Sequence, residues 1–201
     1  MIPSIMKTYF VFVMAVFLAS CGSRQFTKGE YDDVSEARLL DDKFNESDAA
    51  VLIEEMVSSM AEHPVFANVK LPPIVQVEKV RNKTSEHIDT KWMTDSLRTA
   101  LIKTGKVRFS NKEDRDLRDS EVDYQNDSGR VRKDTRKSRS GGIAADYMLT
   151  GDLVSNVQEV GNRKLIFYRL TLNLTDMETG LMAWSDEKPI RKRYKKRAVG
   201  L

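Results

Sequence analysis

The sequence predicts a mixed α/β domain: a mixed β-sheet of about five strands that ends in a C-terminal antiparallel meander and is flanked by helices. Three observations carry this. From Ile166 to Thr175, apolar Ile166, Tyr168, Leu170, Leu172 and Leu174 alternate with polar Arg169, Thr171, Asn173 and Thr175. That period of two marks a half-buried strand. Gly161-Asn162 and Glu178-Thr179-Gly180 bracket the run and supply the positive-φ positions of tight hairpins, so three consecutive strands pair as a meander. Upstream, residues 74–110 read strand, helix, strand, a crossover unit whose two strands are expected to be parallel.

The elements follow in chain order. Lys7 precedes an apolar run from Tyr9 to Leu18 and then Leu18-Ala19-Ser20-Cys21. A basic start, a short apolar stretch and small residues before a cut describe a secretory signal over residues 1–20. Leu-Ala-Ser-Cys also resembles a bacterial lipobox, which implies that Cys21 is lipidated and becomes the first residue. Cys21 is the single cysteine, so no intramolecular disulfide is available. One acyl chain holds a membrane only marginally, at ~0.8 kcal/mol per buried CH₂, and several make attachment durable. By resemblance to enterobacterial sorting, Gly22 in place of Asp favours the outer membrane. Residues 21–46 are polar and poor in apolar side chains, a flexible tether that cannot pack alone.

A single domain is expected over residues 47–190. Ser47 or Asp48 is the expected N-cap of a helix whose apolar face is Ala49, Leu52, Ile53, Met56, Val57 and Met60, ending at His63-Pro64. The methionines at this spacing read as a core stripe rather than a soft metal site. Pro72-Pro73 opens a strand from Ile74 to Val80, and a polar loop leads to a helix with Met93, Leu97, Ala100 and Leu101 on one face. Gly105 is its expected stop. Lys106–Ser110 reads as a short strand, residues 111–124 as an exposed charged helix, and Ile143-Ala144-Ala145 as a helical lead into the meander. Tyr147, Leu149, Leu153, Met182 and Trp184 are expected to complete the apolar surface of the sheet.

Charge is segregated. The formal net charge is +3, yet residues 191–201 carry six basic side chains and no acid. The body from Cys21 to Ile190 is therefore mildly acidic and is followed by a basic tail. A second basic cluster, Arg130, Arg132, Lys133, Arg136, Lys137 and Arg139, lies in a stretch near 125–142 that reads as a mobile, solvated loop because its charges repel. An export signal excludes nucleic acid as partner. Glu86, His87 and Asp89 admit an acid/base sketch, but no nucleophile or ligand cluster accompanies them, and a helix-capping turn accounts for them. Neither a catalytic constellation nor a metal or cofactor site is expected, so the chain reads as a non-enzyme.

Asn82-Lys83-Thr84, Glu86-His87-Ile88-Asp89-Thr90, Leu97-Arg98-Thr99-Ala100-Leu101 and Gly105-Lys106-Val107-Arg108-Phe109 resemble the LpoB family. So do Ala145-Asp146-Tyr147-Met148-Leu149-Thr150-Gly151 and the Thr179-Gly180…Trp184-Ser185 hairpin. The resemblance implies a fold like the N-terminal domain of TolB and an outer-membrane lipoprotein facing the periplasm. It also implies a partner: a class A, bifunctional penicillin-binding protein that the lipoprotein activates. The tether departs from the family's proline-rich pattern, since residues 22–46 contain no proline. For the contact surface the polar side of the meander is nominated, with Arg163, Phe167 and Arg169, because aromatics and arginines anchor interfaces. The opposing possibility is that a helix covers Phe167. The alternative function is an assembly lipoprotein like the curli-secretion proteins, whose membrane-spanning hairpins the charged residues 111–142 do not resemble.

Overall fold

The computed structural model describes residue 39, residues 41–67 and residues 69–196. The signal segment 1–20, Cys21, most of the tether and residues 197–201 lie outside the described residues. Among the described residues, no helix is long and apolar enough to cross a membrane.

Helix α1 (Glu46–Glu62) begins at Asn45, not at Ser47 or Asp48. The Asn45 side chain accepts from the Asp48 backbone N–H at 3.0 Å while the Asp48 carboxylate accepts from the Asn45 N–H at 3.0 Å. This reciprocal box satisfies two orphan donors, and Glu46 and Asp48 oppose the positive end of the helix dipole. The buried residues of α1 are Asp48, Ala49, Leu52, Ile53, Met56 and Met60, close to the expected stripe. A single turn, α2 (Pro64–Ala67), follows and buries Phe66. Helix α3 (Thr90–Lys103) is capped by Asp89 and buries Met93, Leu97 and Leu101. Gly105 follows it with φ +70°, a conformation that costs glycine little.

Six strands form one sheet in the order β3-β1-β4-β5-β6. Strand β1 (Ile74–Val77) is parallel to both β3 (Arg108–Phe109) and β4 (Tyr147–Val160). Strands β4, β5 (Arg163–Asp176) and β6 (Met182–Lys195) are each 14 residues long and pair antiparallel. The sixth strand, β2 (Arg81–Asn82), was not anticipated. It pairs parallel with β4 at Asp152 and Leu153, beyond the point where β1 leaves that edge.

Helices α1 and α3 pack together, and α1 lies along β6. Ile166, Tyr168, Leu170, Leu172 and Leu174 are all buried, and most of them join Leu149, Leu153, Trp184 and the helix stripes in one core. Each fully buried aliphatic side chain contributes roughly 1.5–3 kcal/mol relative to exposure. Gly151 sits in this inner row, where an added Cβ would stand 2.5 Å from Leu172 Cδ2 and 3.1 Å from the Thr171 carbonyl.

Five further expectations need correction. The basic stretch from Arg191 is not a tail: β6 continues to Lys195, and Lys192 is only 3% exposed. Its Nζ donates to Asp48 at 2.9 Å and to the Lys43 carbonyl at 2.6 Å. The tether's last residues are seated on the domain: Lys164 pairs with Asp42 at 2.7 Å, Tyr194 donates to the Asp41 carbonyl, and Phe44 lies edge-on to Tyr168. Met182 is 62% exposed, because a register shift between Leu174 and Thr175 separates it from the row of Trp184. The charged helix, α4, runs from Arg115 to Asp127, and the loop after it folds back: Arg136 donates to the Asn126 carbonyl and Lys137 N–H to Gln125 Oε1. Finally, residues 142–145 are irregular, not helical.

Candidate interaction surface

Strict alternation along β5 fixes what faces away from the helices. With Ile166, Tyr168 and Leu170 inward, Arg163, Leu165, Phe167, Arg169, Thr171 and Asn173 form the outer row. Pairing sets its neighbours. Arg163 stands opposite Lys195, Leu165 opposite Arg193, Phe167 opposite Arg191 and Arg169 opposite Pro189. On the other side, Phe167 meets Asn156 and Leu165 meets Gln158. Asn156, Gln158, Leu165, Phe167 and Arg191 line a groove of about 410 Å³.

All three nominated residues therefore share one face, in different circumstances. Phe167 is half-buried, and among the described residues its groove is lined by side chains of β4, β5 and β6. Arg169 is engaged: its Nη1 lies 3.3 Å from the Glu187 carboxylate, and its buried Nε has no hydrogen-bond partner among the described residues. Arg163 is exposed at the hairpin end, four residues or roughly 13–14 Å from Phe167 along the strand. Sequence reasoning missed Arg191, Arg193 and Lys195. The signal was there in Ile190, Lys192 and Tyr194, whose alternation with these three extends the period of two past Ile190.

Farther along the same outer row, Asp152 accepts from Arg81 Nε at 2.6 Å and from Lys83 Nζ at 2.9 Å. Burial alone would raise its carboxyl pKa, but the hydrogen bonds and charges of Arg81 and Lys83 outweigh it and hold the value below the ordinary carboxylate range. These contacts pin β2 to β4.

The 84–90 loop is built as a cap. Asp89 accepts from the Lys91 N–H at 2.9 Å, and Glu86 accepts from the Phe44 N–H at 3.0 Å and from the Tyr168 hydroxyl. Burial first, then the bond to Glu86, pushes the Tyr168 phenol far above its usual range. Glu86 and Asp89 are thus consumed by structural bonds. Among the described residues no group of three His, Cys, Asp or Glu side chains is placed to hold a metal ion.

With this geometry in place, comparisons locate the chain among known proteins. The model of a family described as "Peptidoglycan-synthase activator LpoB" matches residues 48–190. The LpoB C-terminal domain from Escherichia coli is similar at 23% identity and a TM-score of 0.47, covering 71% of this chain and 98% of that one. The corresponding Salmonella enterica domain gives 21% identity and a TM-score of 0.45, with coverage of 71% and 98%. The lipoprotein GNA1162 from Neisseria meningitidis gives 15% identity and a TM-score of 0.39, with coverage of 64% and 88%. No curated protein matches the chain.

Proposed function

The chain belongs to the LpoB family of peptidoglycan-synthase activators, and from that premise we propose that it binds a bifunctional penicillin-binding protein and stimulates it. In this reading the protein is an outer-membrane lipoprotein held by acyl chains on Cys21, with its domain facing the periplasm and performing no chemistry of its own. The observation that carries the reading is the coincidence of the family match, residues 48–190, with the folded body from α1 into β6. A family described as an activator agrees with a regulatory, non-catalytic role.

Stimulation requires that the domain bind the active state of the synthase more tightly than the inactive one; equal binding to both shifts nothing. The outer face of the meander, with Arg163, Phe167 and Arg169, is the contact surface in this reading. Helices α1 and α3 and residues 41–45 pack on the inner face, and the described residues that line the groove at Phe167 on the outer one all belong to the sheet.

The test is a glycan-polymerisation assay with a purified bifunctional synthase from the same cell envelope, run with and without the full-length protein. A faster rate on addition, together with recovery of the synthase after crosslinking in cells, supports the reading. An unchanged rate at saturating protein refutes it. Mass spectrometry of the mature product tests the anchor: acyl chains on Cys21 are expected, and a bare thiol removes that part of the proposal.

A further inference from the structure

The cations of the β5–β6 hairpin fall into two populations. Those pointing inward, with Lys196 just past the end of β6, are paired: Lys164 with Asp42, Lys188 with Asp186, Lys192 with Asp48 and Lys196 with Glu159. Among the outward ones, Arg169 alone has a carboxylate, Glu187. Arg163, Arg191, Arg193 and Lys195 form no ion pair with any described residue, and all four are exposed. Arg163 and Lys195 even stand directly opposite each other across the strands, an arrangement of like charges that destabilises a sheet. Among the described residues this cluster makes no ion pair that would offset the like-charge cost, and a local cost without local return points to a site of use.

Arg191 lines the groove of Leu165 and Phe167 together with Asn156 and Gln158, Arg193 stands opposite Leu165, and Lys195 and Arg163 face each other one pair further along. Arg191, Arg193 and Lys195 recur at every second residue, a repeat of about 6.8 Å. That is also the repeat of side chains along one side of an extended polypeptide. We propose that this face docks an acidic, extended segment of a protein partner, with carboxylates on alternate residues over Arg191, Arg193 and Lys195 and one apolar side chain against Phe167. The amides of Asn156 and Gln158 can each donate to and accept from the backbone of such a segment. An anionic lipid surface would use the cations but leave the groove and its amides without purpose. Pro189 lacks an N–H and interrupts the free edge of β6, so docking is to the face and not by addition of a strand to the edge.

The inference deepens the reading above and rests on it for the partner's identity: the acidic segment belongs to the synthase. The experiment separates the two. Full-length protein, ¹⁵N-labelled, is titrated with a synthetic peptide alternating Glu with Thr around one central Leu, with the same peptide carrying Gln for Glu, and with phosphatidylglycerol vesicles. Expected are shifts confined to residues 156–158, 163–167 and 191–195, lost with the Gln peptide, and an affinity weakened about tenfold or more in the R191E/R193E variant. Those side chains are exposed, so the variant keeps its fold, and an unchanged unfolding midpoint checks this.

Shifts spread over the basic loop at 130–139, peptide binding unaltered in the variant, or vesicles shifting residues 163–167 and 191–195 more strongly than the Glu peptide does would each overturn the proposal. The same variant is then tested against the synthase. Wild-type binding that survives R191E/R193E also overturns the face while leaving the activator reading intact. Failure of the wild type to bind any synthase, with the peptide result holding, keeps the acidic-segment site and removes the activator reading.

Discussion

Strand β6 carries basic side chains on both of its faces and treats them in opposite ways. Lys192 points inward, is buried, and is held by Asp48 and by the carbonyl of Lys43. Arg191 and Arg193, its immediate neighbours, point outward, are exposed and have no carboxylate among the described residues. Residue type and sequence position barely distinguish these three; the pleat alone separates them. One row of cations belongs to the fold and the other is left for solvent or a partner, so composition alone misreads the segment as a solvated tail.

The largest expected effect breaks the inner half of that comparison. Lys192→Met leaves the buried Asp48 carboxylate without its cation, and such a loss costs about 3–5 kcal/mol. Burial of Lys192 alone would lower its pKa, but the bond to Asp48 and the carboxylate charge outweigh burial and raise it. Stability from this group is therefore fully present below the ordinary lysine value and is lost as pH rises through the higher folded one. Urea unfolding should show the midpoint of K192M falling steeply while R191A stays within about 0.5 kcal/mol of wild type. Equal effects for the two would mean that the pleat does not sort them as described.

A second inner-row test concerns close approach. In Gly151→Ala the new methyl meets Leu172 Cδ2 at 2.5 Å and the Thr171 carbonyl at 3.1 Å. Overpacking of this kind costs about 1–3 kcal/mol. The side chain can yield but the carbonyl belongs to the paired strand, so thermal unfolding should report a clear drop. No such penalty is expected for alanine at Thr171, in the outer row.

These two residues also mark what a sequence reader can and cannot see. The core row of β5 was legible because periodicity is local: every member announces its face through its neighbours. The crossover unit and the two helix stripes were legible for the same reason. What stayed hidden depends on partners far along the chain. Lys192 is internal only because Asp48 lies 144 residues earlier, and residues 41–45 belong to the domain only because β5, β6 and the 84–90 loop receive them. The two-residue β2 carries too few side chains to show a period. Met182 was misread because a bulge, which no composition rule signals here, interrupts the alternation. At the candidate surface, Arg163, Phe167 and Arg169 were reached by alternation on β5, whereas Arg191, Arg193 and Lys195 were lost with the misplaced end of β6.

A smaller effect sharpens the contrast within the outer face itself, where Asp152 is a carboxylate held by two cations. Its folded pKa lies below the ordinary value, so the unfolded chain takes up the proton first on acidification. Stability from the group is complete above the unfolded value and is lost as pH falls through the folded one, a window from about pH 5 downward. Asp152→Asn should flatten that acid limb. Because Arg81 and Lys83 are largely exposed, solvent screening keeps the cost at neutral pH to about 1 kcal/mol or less.

The smallest effect has the most unusual sign. Lys195→Glu replaces a like-charge pair with Arg163 by an opposite-charge one at directly facing positions, a change that should stabilise the sheet by about 0.5 kcal/mol. Were the outer cations merely solubilising, the substitution would be silent or beneficial in every assay. If instead they receive an acidic segment, K195E should raise the unfolding midpoint while weakening synthase binding and its stimulation, more so at low salt, where exposed charges are least screened. A gain of stability joined to a loss of binding separates a surface kept for a partner from one kept for the fold. Two parallel measurements on one variant, urea unfolding and binding at two ionic strengths, read both signs.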